Sequence, residues 1–163
     1  VMDKEVLDHV EMKIPARAEY VGVARLTISG IASRSGYSYD DIEDLKIAVA
    51  EACTNVVDHA YDEGGYMGLF CDLYKDKIEI VVSDRGQSFH LEDIKKGLGP
   101  IDSAKPIEDL REGGLGLFLI DSLMDKVEIN GETGVAIVMT KFLQRDGREQ
   151  DANGFPAPTN AQK

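Results

Sequence analysis

Residues 44–61 read Asp44-Leu-Lys-Ile-Ala-Val-Ala-Glu-Ala-Cys-Thr-Asn-Val-Val-Asp-His-Ala-Tyr61. Leu45, Val49, Ala52 and Val56 recur at helical spacing, and Ile42 extends the stripe by one turn. The stretch therefore predicts an amphipathic helix with one buried face. Glu51 and Asn55 are four residues apart, so they lie one above the other on that helix. Ala48 and His59 share their strip. A carboxylate and a carboxamide beside small residues leave room for a ligand to approach. The same spacing also fits a solvent-facing pair on an ordinary helix, so it does not decide the matter alone.

Working outward, Ser38-Tyr-Asp-Asp41 places an N-cap signal before the helix, close to a capping box with Asp in place of Glu. Upstream, Val10 to Ile14 alternates apolar and polar residues and predicts a short strand ended by Pro15. Arg17 to Arg34 predicts a helix with Val21, Leu26 and Ile28 among its apolar positions, weakened at Gly30 and closed at Gly36. Downstream, Asp62-Glu-Gly-Gly65 is a turn. Tyr66–Tyr74 and Lys77–Ser83 form two strand-like runs around Lys75-Asp76, a hairpin spacing without the favoured glycine. Residues 87–112 have weak periodicity, and a segment of that length in a compact domain is usually functional. Gly113-Gly-Leu-Gly116 opens an apolar helix to about Met124. Val127–Asn130 and Val135–Leu143 predict a second hairpin around Gly131-Glu-Thr-Gly134. Helices interleaved with hairpins imply an α+β, two-layer sandwich of helices on a mixed, mostly antiparallel sheet. The division is a leader over 1–9, one domain over 10–143, and a polar tail over 144–163 of disordered composition.

The totals exclude several classes. The 163 residues, 43% hydrophobic and 29% charged, suffice for one globular core. No apolar run approaches the roughly 18 residues of a membrane helix, and the polar, acidic start is not a signal peptide. Cys53 and Cys71 form no CxxC pair and read as buried thiols of a cytoplasmic protein. A net charge of −12 opposes direct nucleic-acid binding and fits protein partners with basic faces. It also means that binding an anion such as ATP needs local cations, helix N-termini or a metal.

Three clusters carry candidate chemistry. The Asn55 amide oxygen can ligate magnesium, which takes only one or two protein ligands beside phosphates and water, and Glu51 can deprotonate a hydroxyl. Asp84-Arg-Gly86 ends the strongest strand, where a carboxylate can accept a hydrogen bond from an exocyclic amine such as that of adenine. A plain strand-to-loop turn has the same composition. Gly113-Gly-Leu-Gly116 precedes free helix N–H groups that suit phosphate; a close-packed turn fits it equally well. Lys95, Lys96, Lys105 and Arg111 lie in or beside the long loop and can bring positive charge to phosphates. His59 is either a pocket residue or a half-buried helix residue.

Taken together, the order of these clusters resembles the GHKL, or Bergerat-fold, ATPases. Glu51-Ala-Cys-Thr-Asn55 is similar to that group's N box, Asp84-Arg-Gly86 to its first glycine box, and Gly113-Gly-Leu-Gly116 to its second, after a variable ATP lid. Pro15-Ala-Arg-Ala-Glu-Tyr-Val-Gly-Val-Ala-Arg-Leu, Ile42 through Asn55 and Glu112-Gly-Gly-Leu-Gly-Leu most resemble the anti-sigma factor serine-protein kinases. The resemblance spans about Val10 to Leu143. It implies ATP and Mg2+ as cofactors, with Glu51 as catalytic base and Asn55 as metal ligand. It assigns Asp84 and Gly86 to adenine, Gly113, Gly114 and Gly116 to phosphates, and Arg25 to partner contact. It further implies a homodimer with two partners. One is an alternative, sigma-B type sigma factor, which it sequesters; the other is an anti-anti-sigma STAS-domain protein, which it phosphorylates on serine.

The sequence departs from the family at Gln87-Ser88, where many relatives have a second glycine. It departs again at Val135, where several have a threonine near adenine, and at Glu112, where a related kinase has arginine. Two rival readings stand beside the kinase. A histidine-kinase-like catalytic module needs a preceding helix pair bearing the phosphorylated histidine, and only nine residues precede the first expected strand. A nucleotide-sensing module without phosphotransfer is disfavoured by the presence of both Glu51 and Asn55.

Overall fold

The computed structural model describes residues 5–58, 65–84, 99–100, 114–130 and 136–144. The elements in order are β1 (Asp8–Pro15), a 3-10 turn (Ala18–Tyr20), α1 (Val21–Arg34), α2 (Tyr39–Asp58), β2 (Tyr66–Leu73) and β3 (Lys77–Ser83). They continue with β4 (Gly99–Pro100), α3 (Gly114–Leu123), β5 (Lys126–Asn130) and β6 (Ala136–Phe142). The strands form one sheet in the order β1-β2-β3-β6-β5-β4. Every ladder among the described residues is antiparallel. The α+β sandwich read from the sequence is the architecture found.

Register explains which face carries the helices. Val10, Cys71, Ile80, Met139 and Val127 align across the sheet, and Met12, Leu69, Val82, Ile137 and Ile129 form the next row. Both rows pack into the main core with Ile28 of α1, Leu45, Val49, Ala52 and Val56 of α2, and Leu117 and Ile120 of α3. The predicted stripe of α2 is thus the buried one, and Ile42 packs at its margin. Ala48 and Cys53 widen it to a broad apolar face, as a central helix flanked by two others requires.

The opposite sheet face carries a second row, Glu11, Phe70, Val81, Val138 and Glu128. Val81, Val138 and Ala136 form a small cluster there with Phe70 against it. This accounts for Ile80-Val-Val82, which is apolar on both faces. At the sheet edge, His9 hydrogen-bonds Asp72 through Nδ1 and Glu11 through Nε2, the latter at 2.7 Å. These partners extend β1 two residues before the expected Val10. The added residues, Asp8 and His9, are both polar, so no hydrophobic alternation announced them.

Three further boundaries differ from expectation. The helix expected from Arg17 begins at Val21, because Arg17 is extended and residues 18–20 form a 3-10 turn. Gly30 does not break α1; Gly36, at φ 92°, follows its end. Leu26, expected on the apolar side, is 70% exposed. The long segment expected as loop contributes the two-residue β4, paired with Ile129 and Glu128. The Lys75-Asp76 hairpin is present: the Tyr74 N–H donates to the Lys77 carbonyl at 2.9 Å. Residues 1–4 of the leader and 145–163 of the tail lie outside the described residues.

Candidate functional site

The site is built on α2, and the local sequence sets where that helix starts. The Asp41 N–H donates to Ser38 Oγ at 3.1 Å, and the Ile42 N–H donates to the Ser38 carbonyl at 2.9 Å. This is the N-cap arrangement expected of Ser38: its hydroxyl satisfies the Asp41 N–H, which has no intrahelical partner, and its carbonyl accepts the first helical bond, from Ile42. With the start fixed and the stripe buried, Glu51 and Asn55 are left half-buried on one strip of the helix. Thr54, on the outer side, is exposed.

Across from Glu51 stands the start of α3. Gly116 is so close that a Cβ there would lie 2.9 Å from Glu51 Oε1. Only a residue without a side chain leaves the carboxylate where it is. Gly114 and Gly116 fall in the first turn of α3. The first four N–H groups of a helix have no intrahelical acceptor, and that end carries the positive end of the helix dipole. The structure therefore brings together two clusters 65 positions apart in sequence, a carboxylate and an anion-favouring helix end.

Asp84 follows the end of β3, the strand on which α2 packs. Its Oδ1 is buried and has no hydrogen-bond partner among the described residues. A buried acceptor without a donor is costly, roughly 1–3 kcal/mol. The site therefore suits a ligand that supplies an N–H, as the exocyclic amine of adenine does. Arg25 is exposed on α1, beside the exposed Val23 and Leu26. His59, Gly86, Lys105, Arg111 and Gly113 lie outside the described residues, as do Lys95 and Lys96.

Cys53 and Cys71 are both buried thiols, pushed up to about 12 by burial. They supply no nucleophile to the site, in keeping with their reading as core residues. The close approach of Gly116 to Glu51 was not legible in advance. The second glycine cluster pointed to a helix N-terminus, but nothing in its spacing named its neighbour.

Helices on one face of an antiparallel sheet, with the Glu51 carboxylate against a glycine-opened helix end, fit a histidine kinase-like ATPase. The family model of the histidine kinase-like ATPase domain matches residues 14–141, nearly all of the described fold, and that domain binds ATP. Among curated proteins, the chain is 62% identical to a serine-protein kinase RsbW of Halalkalibacterium halodurans, over 94% of this chain and 95% of the relative. It is 54% identical to the RsbW of Oceanobacillus iheyensis, over 88% and 92% of the two chains. It is 51% identical to the RsbW of Bacillus cereus, over 91% and 94%. The chain belongs to the RsbW serine-protein kinase family. The fold is also that of a solved structure of the RsbU and RsbW domains of a Mycobacterium tuberculosis protein, with TM-score 0.59 at 19% identity. That match covers 83% of this chain and 32% of the other.

Proposed function

We propose that the protein is an ATP-dependent protein-serine kinase that also acts as an anti-sigma factor in the cytoplasm. It holds an alternative sigma factor of the sigma-B type and phosphorylates a serine on a small STAS-domain antagonist, which inactivates the antagonist. Unphosphorylated antagonist captures the kinase and frees the sigma factor. The observation that carries this reading is the Glu51 carboxylate set against Gly116 at the start of α3. A proton acceptor beside a phosphate-favouring helix end is what transfer to a hydroxyl needs.

The residues divide the work. Glu51 takes the proton of the attacking serine hydroxyl as its oxygen bonds to the γ-phosphorus and ADP departs. Asn55, one turn along α2, would hold Mg2+, which would supply positive charge against the phosphates. The buried Oδ1 of Asp84 accepts from the adenine amine, and Gly86 lets backbone approach the base. Gly113, Gly114 and Gly116 present N–H groups to the phosphates. Lys105 and Arg111 add positive charge from the intervening segment, and His59 lines the pocket. Arg25, exposed on α1, contacts protein partners. The active unit is a homodimer.

The test is to incubate the protein with Mg–ATP and a small STAS-domain protein from the same genome, and to read intact mass. One added phosphate on the partner, lost when its serine is replaced by alanine, is the expected result. Nucleotide binding with no mass change on any such partner would instead make the protein a sensor without phosphotransfer.

A further inference from the structure

We infer that Lys141 is a positioning residue for phosphate transfer: it ties the end of α3 to the start of α2 and so holds Gly116 against Glu51. The inference rests on the reading of Glu51 as catalytic base.

Lys141 lies on β6 opposite Ile78, on the helix-bearing side of the sheet, and is only 8% exposed. A buried ammonium is expensive unless it is paired and hydrogen-bonded. This one has three donors and meets acceptors from two helices. Its Nζ donates to the Leu123 carbonyl at 2.6 Å, and lies 3.5 Å from Asp44 Oδ2 and 3.8 Å from Asp41 Oδ1. The Tyr37 hydroxyl donates to the Lys141 carbonyl at 2.7 Å, which anchors the lysine backbone.

The placement matches the charge of both helix ends. Leu123 is the last residue of α3, where carbonyls lack intrahelical partners and a cation is favoured. Asp41 sits in the first turn of α2, where a carboxylate is favoured. One cation therefore joins the negative end of one helix to acids at the positive end of the other.

The same two helices meet again at the site. Leu123 is seven residues beyond Gly116 on α3, and Glu51 is seven residues beyond Asp44 on α2. Seven residues are two helical turns, about 10 Å. The two contacts are thus equally spaced on antiparallel helices. A slide by one residue, about 1.5 Å, would break both. The packing of Leu117 and Ile120 against α2 resists the same slide, and the lysine adds a directional, charge-assisted tie to it. At the Gly116 end the helix start lies against the carboxylate of Glu51, and misplacement of that carboxylate by about 1 Å is enough to cost on the order of 100-fold in rate.

The experiment measures steady-state phosphorylation of the antagonist, with thermal unfolding of each variant, for wild type, Lys141→Met, Lys141→Arg and Glu51→Ala. Lys141→Met is expected to fold and to lower kcat about 10-fold or more with little change in KM for the antagonist; Lys141→Arg is expected to restore most of it. A folded Lys141→Met with kcat within about twofold of wild type, or with only KM raised, overturns the inference. If Lys141→Met does not fold, the Asp41→Asn/Asp44→Asn double variant decides: a several-fold fall in kcat supports the inference, and wild-type kcat overturns it. An active Glu51→Ala would instead mean that the assignment of the base has failed, a separate result.

Discussion

Among single residues, little room separates Gly116 from Glu51. In Gly116→Ala, the added methyl would meet the far end of the Glu51 side chain at 2.9 Å, so the carboxylate swings away before the helix moves. Alanine is also the better helix former by roughly 0.5–1 kcal/mol. Chemical denaturation should therefore show unchanged or slightly raised stability, while antagonist phosphorylation falls at least about 10-fold. An equal loss of both would mean that Gly116 serves packing alone. Asp84→Ala removes the buried acceptor at the end of β3. Calorimetric titration should show ATP affinity falling about 10- to 100-fold, the cost of a charge-assisted hydrogen bond. The sequence made Glu51 and Asn55 legible as a pair because the helical repeat fixes their relation. Their long-range neighbours were beyond it. The cradle at Gly116 and the buried Lys141 depend on how α3 docks, and a lysine near a strand end ordinarily reads as solvated.

At the scale of elements, the edge of the sheet carries a titratable link. His9 is held above its usual value first by its hydrogen bond with Asp72 and then by that with Glu11. A raised folded value means that the protonated bridge stabilises fully below about pH 6.5 and is lost as pH rises through the folded value. His9→Gln should therefore lower Tm relative to wild type near about pH 6, and the difference should shrink toward about pH 9. The ring is partly exposed, so the effect stays below about 1 kcal/mol. A Tm difference that grows with pH would contradict the bridge. Elements with strong internal pattern were legible: α2 from its stripe and cap, β3 from its β-branched run, and the two hairpins from their spacing. Those set by tertiary context were not. β4 exists only because β5 offers an edge to pair with; Leu26, by contrast, is exposed because it lies two residues from both Ala24 and Ile28, on the face of α1 opposite the buried stripe, a misreading of the repeat rather than a tertiary effect.

At the scale of the molecule, the sheet order makes one side a platform for three helices and places the start of α3 against the middle of α2. In the proposed function an acidic chain would hold an anion there through local charge: the N-terminus of α3 would meet the phosphates even though the whole carries −12. The α+β class and the three clusters were readable in sequence because their order and separation are specific in combination. How the first and third of them meet was not, because the contact of Gly116 with Glu51 is a property of the packed sandwich. The most direct test of the role this contact gives Glu51 compares nucleotide affinity and antagonist phosphorylation in the same preparation of Glu51→Ala. If Glu51 is the base, ATP affinity stays within about twofold of wild type and phosphotransfer falls about 100-fold or more, the weight of a general base. Serine phosphorylation at the wild-type rate would contradict it.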